Sequence, residues 1–167
     1  MNQAIENPHG VSTFGSCVVY VDPDHVSLDF AITRASAKPN EASNAVRAAS
    51  STVEAFLKQA GLQEGRWRAS RVKFSLVQGK HVAEISYNLS TDNLDLVEPL
   101  VVGLLNAGAN DIRKVTYRSS RMRDGRSEAR QGAFLAALKK AEAFCEAAGV
   151  KVGRTIHIEE LADSDPR

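Results

Sequence analysis

Residues 126–160, RSEARQGAFLAALKKAEAFCEAAGVKVGRTIHIEE, decide the fold, because they predict a long amphipathic helix, a glycine stop and a closing strand. Small and apolar residues recur at intervals of three and four, which places them along one side of the helix. They are Ala129, Ala133, Ala136, Ala137, Ala141, Phe144 and Ala148. A stripe that is mostly alanine predicts close packing against a flat partner such as a sheet. Gly149 favours a left-handed helix stop, and residues 155–158 are typical of a strand.

The residues before this stretch predict two further helices and five further strands. Alternating or β-branched residues indicate strands over 15–21, 26–33, 71–77, 81–89 and 112–119. Apolar residues at helical spacing indicate helices that begin at Pro39 and near Asp95. All three helices end in Ala-Gly, at Gly61, Gly108 and Gly149, and each stop is expected to return the chain to the sheet.

The predicted element order is therefore ββαββαβαβ, an α+β fold with three helices packed on one face of a mostly antiparallel or mixed sheet. A chain of 167 residues is long enough for one domain with its own core. We predict a flexible lead-in over 1–14, one domain over 15–160 and a flexible tail over 161–167.

Composition and charge set the broad class of the protein. Hydrophobic residues make up 43% and charged residues 25%, as in a soluble globular protein. With 21 basic and 20 acidic residues, no overall field attracts nucleic acid or a membrane surface. The first residues lack the pattern of a signal peptide, and no apolar run approaches the ~20 residues of a membrane span. We expect no membrane insertion and a cytoplasmic location as written, or a periplasmic one if an export signal was removed.

The cysteines and histidines suggest no metal or cofactor. Cys17 and Cys145 form no zinc-binding spacing; buried, reduced thiols are favoured over a disulfide between them, which stays open. His157 and Glu159 share one side of the predicted closing strand, but two ligands do not make a zinc site. No glycine-rich phosphate loop and no nucleophile elbow is present.

Motifs spread along the chain resemble the SIMPL-domain family, also called YggE-like proteins. The resemblance covers nearly all of 15–160. It is carried by Pro23-Asp24, Glu41-Ala42, Ala60-Gly61, Gly108-Ala109-Asn110, Glu128-Ala129-Arg130 with the alanines after it, Gly149-Val150-Lys151-Val152-Gly153 and Ile158-Glu159-Glu160.

The resemblance implies a largely bacterial family without an established catalytic motif. It also implies frequent export to the periplasm, ring-like homo-oligomers in some members, and suggested links to stress tolerance and signalling partners. This sequence departs from the pattern in two places. It has no export signal, and a short Gln78-Gly79-Lys80 connection stands where many relatives carry an insertion.

Two groups of arginines form the most specific chemical signal. One surrounds the start of the long helix and consists of Arg118, Arg121, Arg123, Arg126 and Arg130. The other consists of Arg66, Arg68 and Arg71 with Trp67 and Lys73. Arginine and helix N-termini both suit phosphate or carboxylate, so clusters that met on one surface would bind anions. The balanced charge favours surface ion pairs instead and disfavours nucleic acid as a partner.

The sequence therefore predicts a non-enzymatic SIMPL-like domain that acts through homo-oligomerisation or partner binding, with a possible protein partner and a possible stress role. The alternative is an anion- or nucleic-acid-binding module built from the two arginine clusters. A hydrolase that uses His157 and Glu159 has the least support.

Overall fold

The computed structural model describes residues 10–63 and 65–161, which form two compact units. The sheet unit spans Val21–Met122. The helix unit combines the described residues up to Tyr20 with those from Arg123 onward. We describe each unit by itself.

Within the described residues the element order is βαβββαβα. The strands are β1 (His25–Ser36), β2 (Trp67–Ala69), β3 (Lys73–Val77), β4 (Lys80–Thr91) and β5 (Asp111–Arg118). The helices are α1 (Pro39–Gln59), α2 (Val97–Ala107) and α3 (Met122–Ala147). None of the described helices is long and apolar enough to cross a bilayer.

The sheet is antiparallel throughout, and its strands lie in the order β2-β4-β1-β5. β3 also pairs with β4, further along the same side as β2. Gln78 and Gly79 join β3 to β4 with positive φ angles of 49° and 76°, as a two-residue hairpin turn requires. The hairpin predicted from this short connection is confirmed.

The core lies on one face of the sheet, as the alternation in β1 predicts. Every second residue of β1 from Val26 to Ile32 is buried, and β4 matches it from Ala83 to Leu89. The predicted stripe of α1 packs against these strands, and α2 packs against α1. Phe30 stacks on Tyr87 with ring centroids 4.9 Å apart. Burial raises the pKa of Tyr87 to about 12. The α+β fold class is confirmed.

All three Ala-Gly stops adopt the predicted left-handed conformation. The φ angles are 79° at Gly61, 112° at Gly108 and 68° at Gly149. After Gly108 the chain returns to the sheet through Asn110, whose side-chain amide accepts from Thr33 N and donates to Thr33 O over 2.8 and 3.1 Å. The Asn110 side chain thus pairs with the backbone of Thr33 in β1, as a residue of a neighbouring strand would. This contact gives the asparagine of the Gly-Ala-Asn motif a structural role.

Two predicted strands, 15–21 and 155–158, are wrong as elements of this sheet. Neither stretch is assigned as a strand, and neither joins a ladder. The reason is pairing, since a strand exists only where a neighbour accepts and donates its backbone hydrogen bonds. The third difference is β2, a strand of only three residues that the sequence patterns did not predict.

Asp24, in the predicted Pro-Asp turn, fastens the start of β1 to the end of β5. Its carboxylate accepts hydrogen bonds from the backbone N–H and the hydroxyl of Ser120. His25 Nδ1 lies 2.8 Å from Asp24 Oδ1, and Asp24 N donates to Arg118 O over 2.9 Å. The hydrogen bonds from Ser120, followed by that from His25, lower the pKa of Asp24 to about 2.

We predict that Asp24→Asn removes an acid-sensitive contribution to stability. The folded-state pKa of about 2 lies below the ordinary value of 3.8, so Asp24 stabilises the fold above pH ~4 and this contribution disappears as the pH falls to ~2. Urea unfolding from pH 6 to pH 2 should show the gap between wild type and variant closing over that range. Asp22→Asn is the control, since Asp22 makes no hydrogen bond with a described residue. A gap that is constant with pH would contradict the prediction.

Candidate functional site

Most of the first arginine cluster lies on α3, because this helix begins at Met122 and not at Arg126. Arg118 ends β5 and Arg121 lies in the turn that follows. Arg123, Arg126 and Arg130 are three and four residues apart, so they share one side of α3. Of these three, Arg130 is paired, donating from Nε to Glu160 Oε1 over 2.8 Å.

The second cluster is divided between an ion pair and a cation without an acidic partner. Arg66 donates two hydrogen bonds to the carboxylate of Asp92, which raises the pKa of the Arg66 guanidinium. Arg68, on β2, makes no ion pair with a described residue. Arg66 is therefore occupied, and Arg68 is the more available anion ligand.

Within the sheet unit, the strand order keeps Arg118 apart from the second cluster. β5 and β2 lie at opposite edges, with β1 and β4 between them. Three inter-strand spacings correspond to ~14 Å. The sheet therefore does not bring Arg118 together with Arg66 and Arg68.

The structure instead reveals a shallow groove on the polar face of the sheet, the face opposite the core. It has a volume of about 690 Å³, and its lining includes Arg68, Arg113 and Lys114 beside Asp29 and Asn88. Asn88 Nδ2 donates to Asp29 Oδ1 over 2.6 Å. Lys114, like Arg68, makes no ion pair with a described residue. The groove thus presents Arg68 and Lys114 on either side of Asn88 and the Asp29 carboxylate, and Asp29 lies opposite Lys114 in the β1–β5 ladder.

Arg113 lies in this groove because of an irregularity in the β1–β5 ladder. The register shifts between Asp29 and Phe30, so Lys114 and Ile112 face successive residues of β1 and Arg113 is left over. Its guanidinium binds Glu84 and Asp111, each over 2.8 Å. The hydrogen bond from Arg113, followed by that from Ser86, lowers the pKa of Glu84. This bulge depends on long-range pairing and has no signal in the sequence.

His157 and Glu159 are close, but they do not form a metal site. Their side chains approach to 4.0 Å and both are exposed. In the described part of the chain, no group of three or more His, Cys, Asp or Glu side chains could hold a metal ion. The pair is therefore an exposed surface contact.

In the helix unit, residues 11–20 form an extended N-terminal segment against α3. Thr13 Oγ1 donates to Ala137 O over 2.8 Å, and Lys140 Nζ donates to Phe14 O over 2.9 Å. Gly15 lies so close to α3 that an added Cβ would stand 2.0 Å from the carbonyl oxygen of Ala133. The alanines from Ala129 to Ala141 are thus partly buried, but the neighbour within the helix unit is this N-terminal segment and not a sheet, and Ala148 is exposed.

The remaining details of the helix unit correct two predictions. Phe144, placed in the stripe, is exposed, and its neighbour Cys145 is buried instead. Both cysteines are free, but Cys17 is exposed and packs against Gly132, so only Cys145 is a buried thiol.

Residues 150–161 form a closing segment with the pattern of a strand but without a neighbouring strand. Its apolar residues come in two alternating pairs, Val150 with Val152 and Ile156 with Ile158, and Arg154 lies between the pairs. Ile156 and Ile158 are 75% and 68% exposed. Residues 151–161 make no backbone–backbone hydrogen bond with any described residue. Natural proteins usually cover or pair a segment with unpaired backbone groups and exposed apolar side chains.

The N-terminal segment shows the same property on its outer side. Phe14, Val18 and Tyr20 are exposed, while the residues between them approach α3. From residue 11 to residue 23 no backbone group pairs with another described backbone group. The sequence indicates both segments as strands but carries no signal that their partners are missing.

Comparison with known proteins identifies one family. Residues 11–167 match the family model described as SIMPL, a protein of unknown function (DUF541). No curated protein matches the chain. Among solved structures, the de novo designed protein Foldit4 is 13% identical, with a TM-score of 0.31, over 58% of this chain and 99% of that one. The de novo designed protein Ferredog-Diesel is 12% identical, with a TM-score of 0.25, over 68% and 99%. Likeness at this level carries no functional argument.

We predict that Gly15→Ala releases the N-terminal segment from α3, because the new methyl group would overlap helix backbone that cannot move aside. Limited proteolysis should then cleave between residues 11 and 20 much faster than in the wild type. Gly153→Ala is the matched control, since a Cβ there meets nothing within 4 Å. Equal cleavage rates in the two variants would contradict the described contact.

Proposed function

Because the chain belongs to the SIMPL family, whose model carries no defined activity, we propose from the geometry that it is a non-enzymatic subunit of a homo-oligomer. The observation that carries the proposal is the closing segment: within the helix unit, residues 151–161 form no backbone–backbone hydrogen bond, and Ile156 and Ile158 are exposed. A segment of this kind is suited to pairing with a second chain.

The proposal follows from the energetics of exposed apolar strands. Burying one isoleucine side chain contributes about 2 kcal/mol. Ile156 and Ile158 together therefore offer about 4 kcal/mol to a second chain, before any hydrogen bonds form along the backbone.

A second surface of the helix unit, on α3, supports the same proposal. α3 exposes Phe134 and Leu135 beside a groove of about 440 Å³, and Phe144 further along the helix. Aromatic and apolar side chains of this kind are enriched in the buried centres of protein interfaces. A stress-related role rests on the family resemblance alone and adds no contact to this account.

We predict that the wild type self-associates at micromolar concentrations and that Ile156→Asp with Ile158→Asp weakens the association. Loss of about 4 kcal/mol of burial should raise the dissociation constant more than about 100-fold. Light scattering coupled to size-exclusion chromatography, over a dilution series, measures the effect.

The control for this pair is Val102→Asp, which changes an exposed apolar residue of α2 in the sheet unit. It should leave the association constant near the wild-type value. A wild type that stays monomeric at every concentration, or a double variant that associates like the wild type, would refute the proposal.

Anion binding is the second candidate, and the groove on the polar face is the observation that favours it. Arg68 and Lys114 line that groove without an acidic partner among the described residues. Arginine and lysine in this state bind phosphate groups. The groove contains Arg68 of the second predicted cluster and adds Lys114, so we propose it as the place where an anion would bind.

For this second candidate we expect inorganic polyphosphate to bind with an affinity that falls as salt rises, and Arg68→Ala with Lys114→Ala to weaken it. The comparison variant is Arg121→Ala with Arg123→Ala, which removes cations of the first cluster. A larger loss in the comparison variant would move the site to the start of α3. No binding at low salt would exclude both places.

A further inference from the structure

The free edge of the sheet provides a surface that matches the closing segment. Among the described residues β5 pairs only with β1, so its other side carries unpaired backbone groups along eight residues. Beyond the bulge at Arg113, the residues Lys114–Arg118 form a regular stretch without proline, and such an edge is a template for another strand. Residues 155–159 of the closing segment have the same length and form no backbone–backbone hydrogen bond within the helix unit.

The core of the sheet unit is incomplete at this edge. Val115 and Tyr117 face Leu28 and Val26 across the β1–β5 ladder, and these two partners are almost fully buried. Val115 and Tyr117 themselves are 37% and 55% exposed, although they lie on the core face. Apolar residues beyond β5 on that face would complete the core.

We infer that the closing segment of one copy adds to β5 of a second copy as a sixth strand, with Ile156 and Ile158 beside Tyr117 and Val115. The inference rests on the proposed self-association and names the surfaces that mediate it. The added strand is antiparallel, like every other pair in the sheet.

Charge favours this register. With Ile158 opposite Val115, Glu159 lies opposite Lys114, whose ammonium has no ion pair with a described residue. Opposite charges directly across two strands stabilise the pair by about 0.2–1 kcal/mol. His157 then lies opposite Thr116 on the polar face.

The other edge of the sheet is a poorer partner. It is formed by β2 and β3, which are three and five residues long and are separated by residues 70–72. Phe74, which is exposed on β3, therefore supplies the matched control position.

The test is disulfide cross-linking between two differently tagged chains, both in a Cys17→Ser background that keeps the buried Cys145. One chain carries Thr116→Cys and the other His157→Cys. Residues opposite each other in paired strands have Cα atoms within about 7 Å, which is close enough for a disulfide. Mild oxidation should therefore link Thr116→Cys to His157→Cys. The control pair is Phe74→Cys with His157→Cys, and it should give at most about one tenth as much tagged heterodimer. With His157 opposite Thr116, an antiparallel strand places Glu159 opposite Lys114, and a parallel strand would place it opposite Arg118. Glu159→Cys should therefore link to Lys114→Cys and not to Arg118→Cys.

Three results would overturn the inference. If light scattering shows self-association but the 116–157 pair gives no heterodimer, the interface lies elsewhere and the proposed function stands. If a single chain carrying both cysteines closes as a linked monomer and no heterodimer forms, the strand joins its own sheet. If the chain does not associate at all, both the inference and the proposed function fail.

Discussion

Backbone hydrogen bonding is the constraint on which this structure depends. Each extended residue presents an N–H and a C=O that must be paired or hydrated. In the sheet unit the central strands β1 and β4 meet this requirement on both sides, and α1 covers the apolar face they create. Within the helix unit, residues 11–20 and 151–161 form no backbone–backbone hydrogen bond. The contrast between a satisfied sheet and unsatisfied flanks of α3 directs attention to assembly.

The same constraint explains why the chain exposes so much apolar surface in particular places. Isolated exposed apolar residues are ordinary on any protein. Here they come in alternating pairs in the closing segment, and Val115 and Tyr117 are exposed on the core face of β5. In the pairing that we propose, each of these two surfaces covers the apolar residues of the other. Of the arginines in the two predicted clusters, Arg66 and Arg130 form ion pairs with described residues, Asp92 and Glu160 respectively.

Sequence patterns predicted the features that depend on neighbouring residues. The alternation of β1, the stripe of α1 and the glycine stops are local, and all were confirmed. The pairing of a strand is not local, so residues 155–158 had the right pattern for a strand but no way to indicate a missing neighbour. The bulge that places Arg113 in the groove likewise arises from the register between β1 and β5. Phe144 is exposed and Cys145 is buried, although helical spacing placed Phe144 in the stripe, because spacing does not show which neighbours cover a helix.

The central claim is that association orders and pairs the closing segment. Hydrogen–deuterium exchange of amides 151–161, measured above and below the concentration at which the chain associates, tests it directly. The account predicts slow exchange in the concentrated protein and fast exchange in the dilute protein, while β4 amides stay protected in both. Exchange of amides 151–161 that is equally fast at both concentrations, in a sample that light scattering shows to be associated, would contradict it.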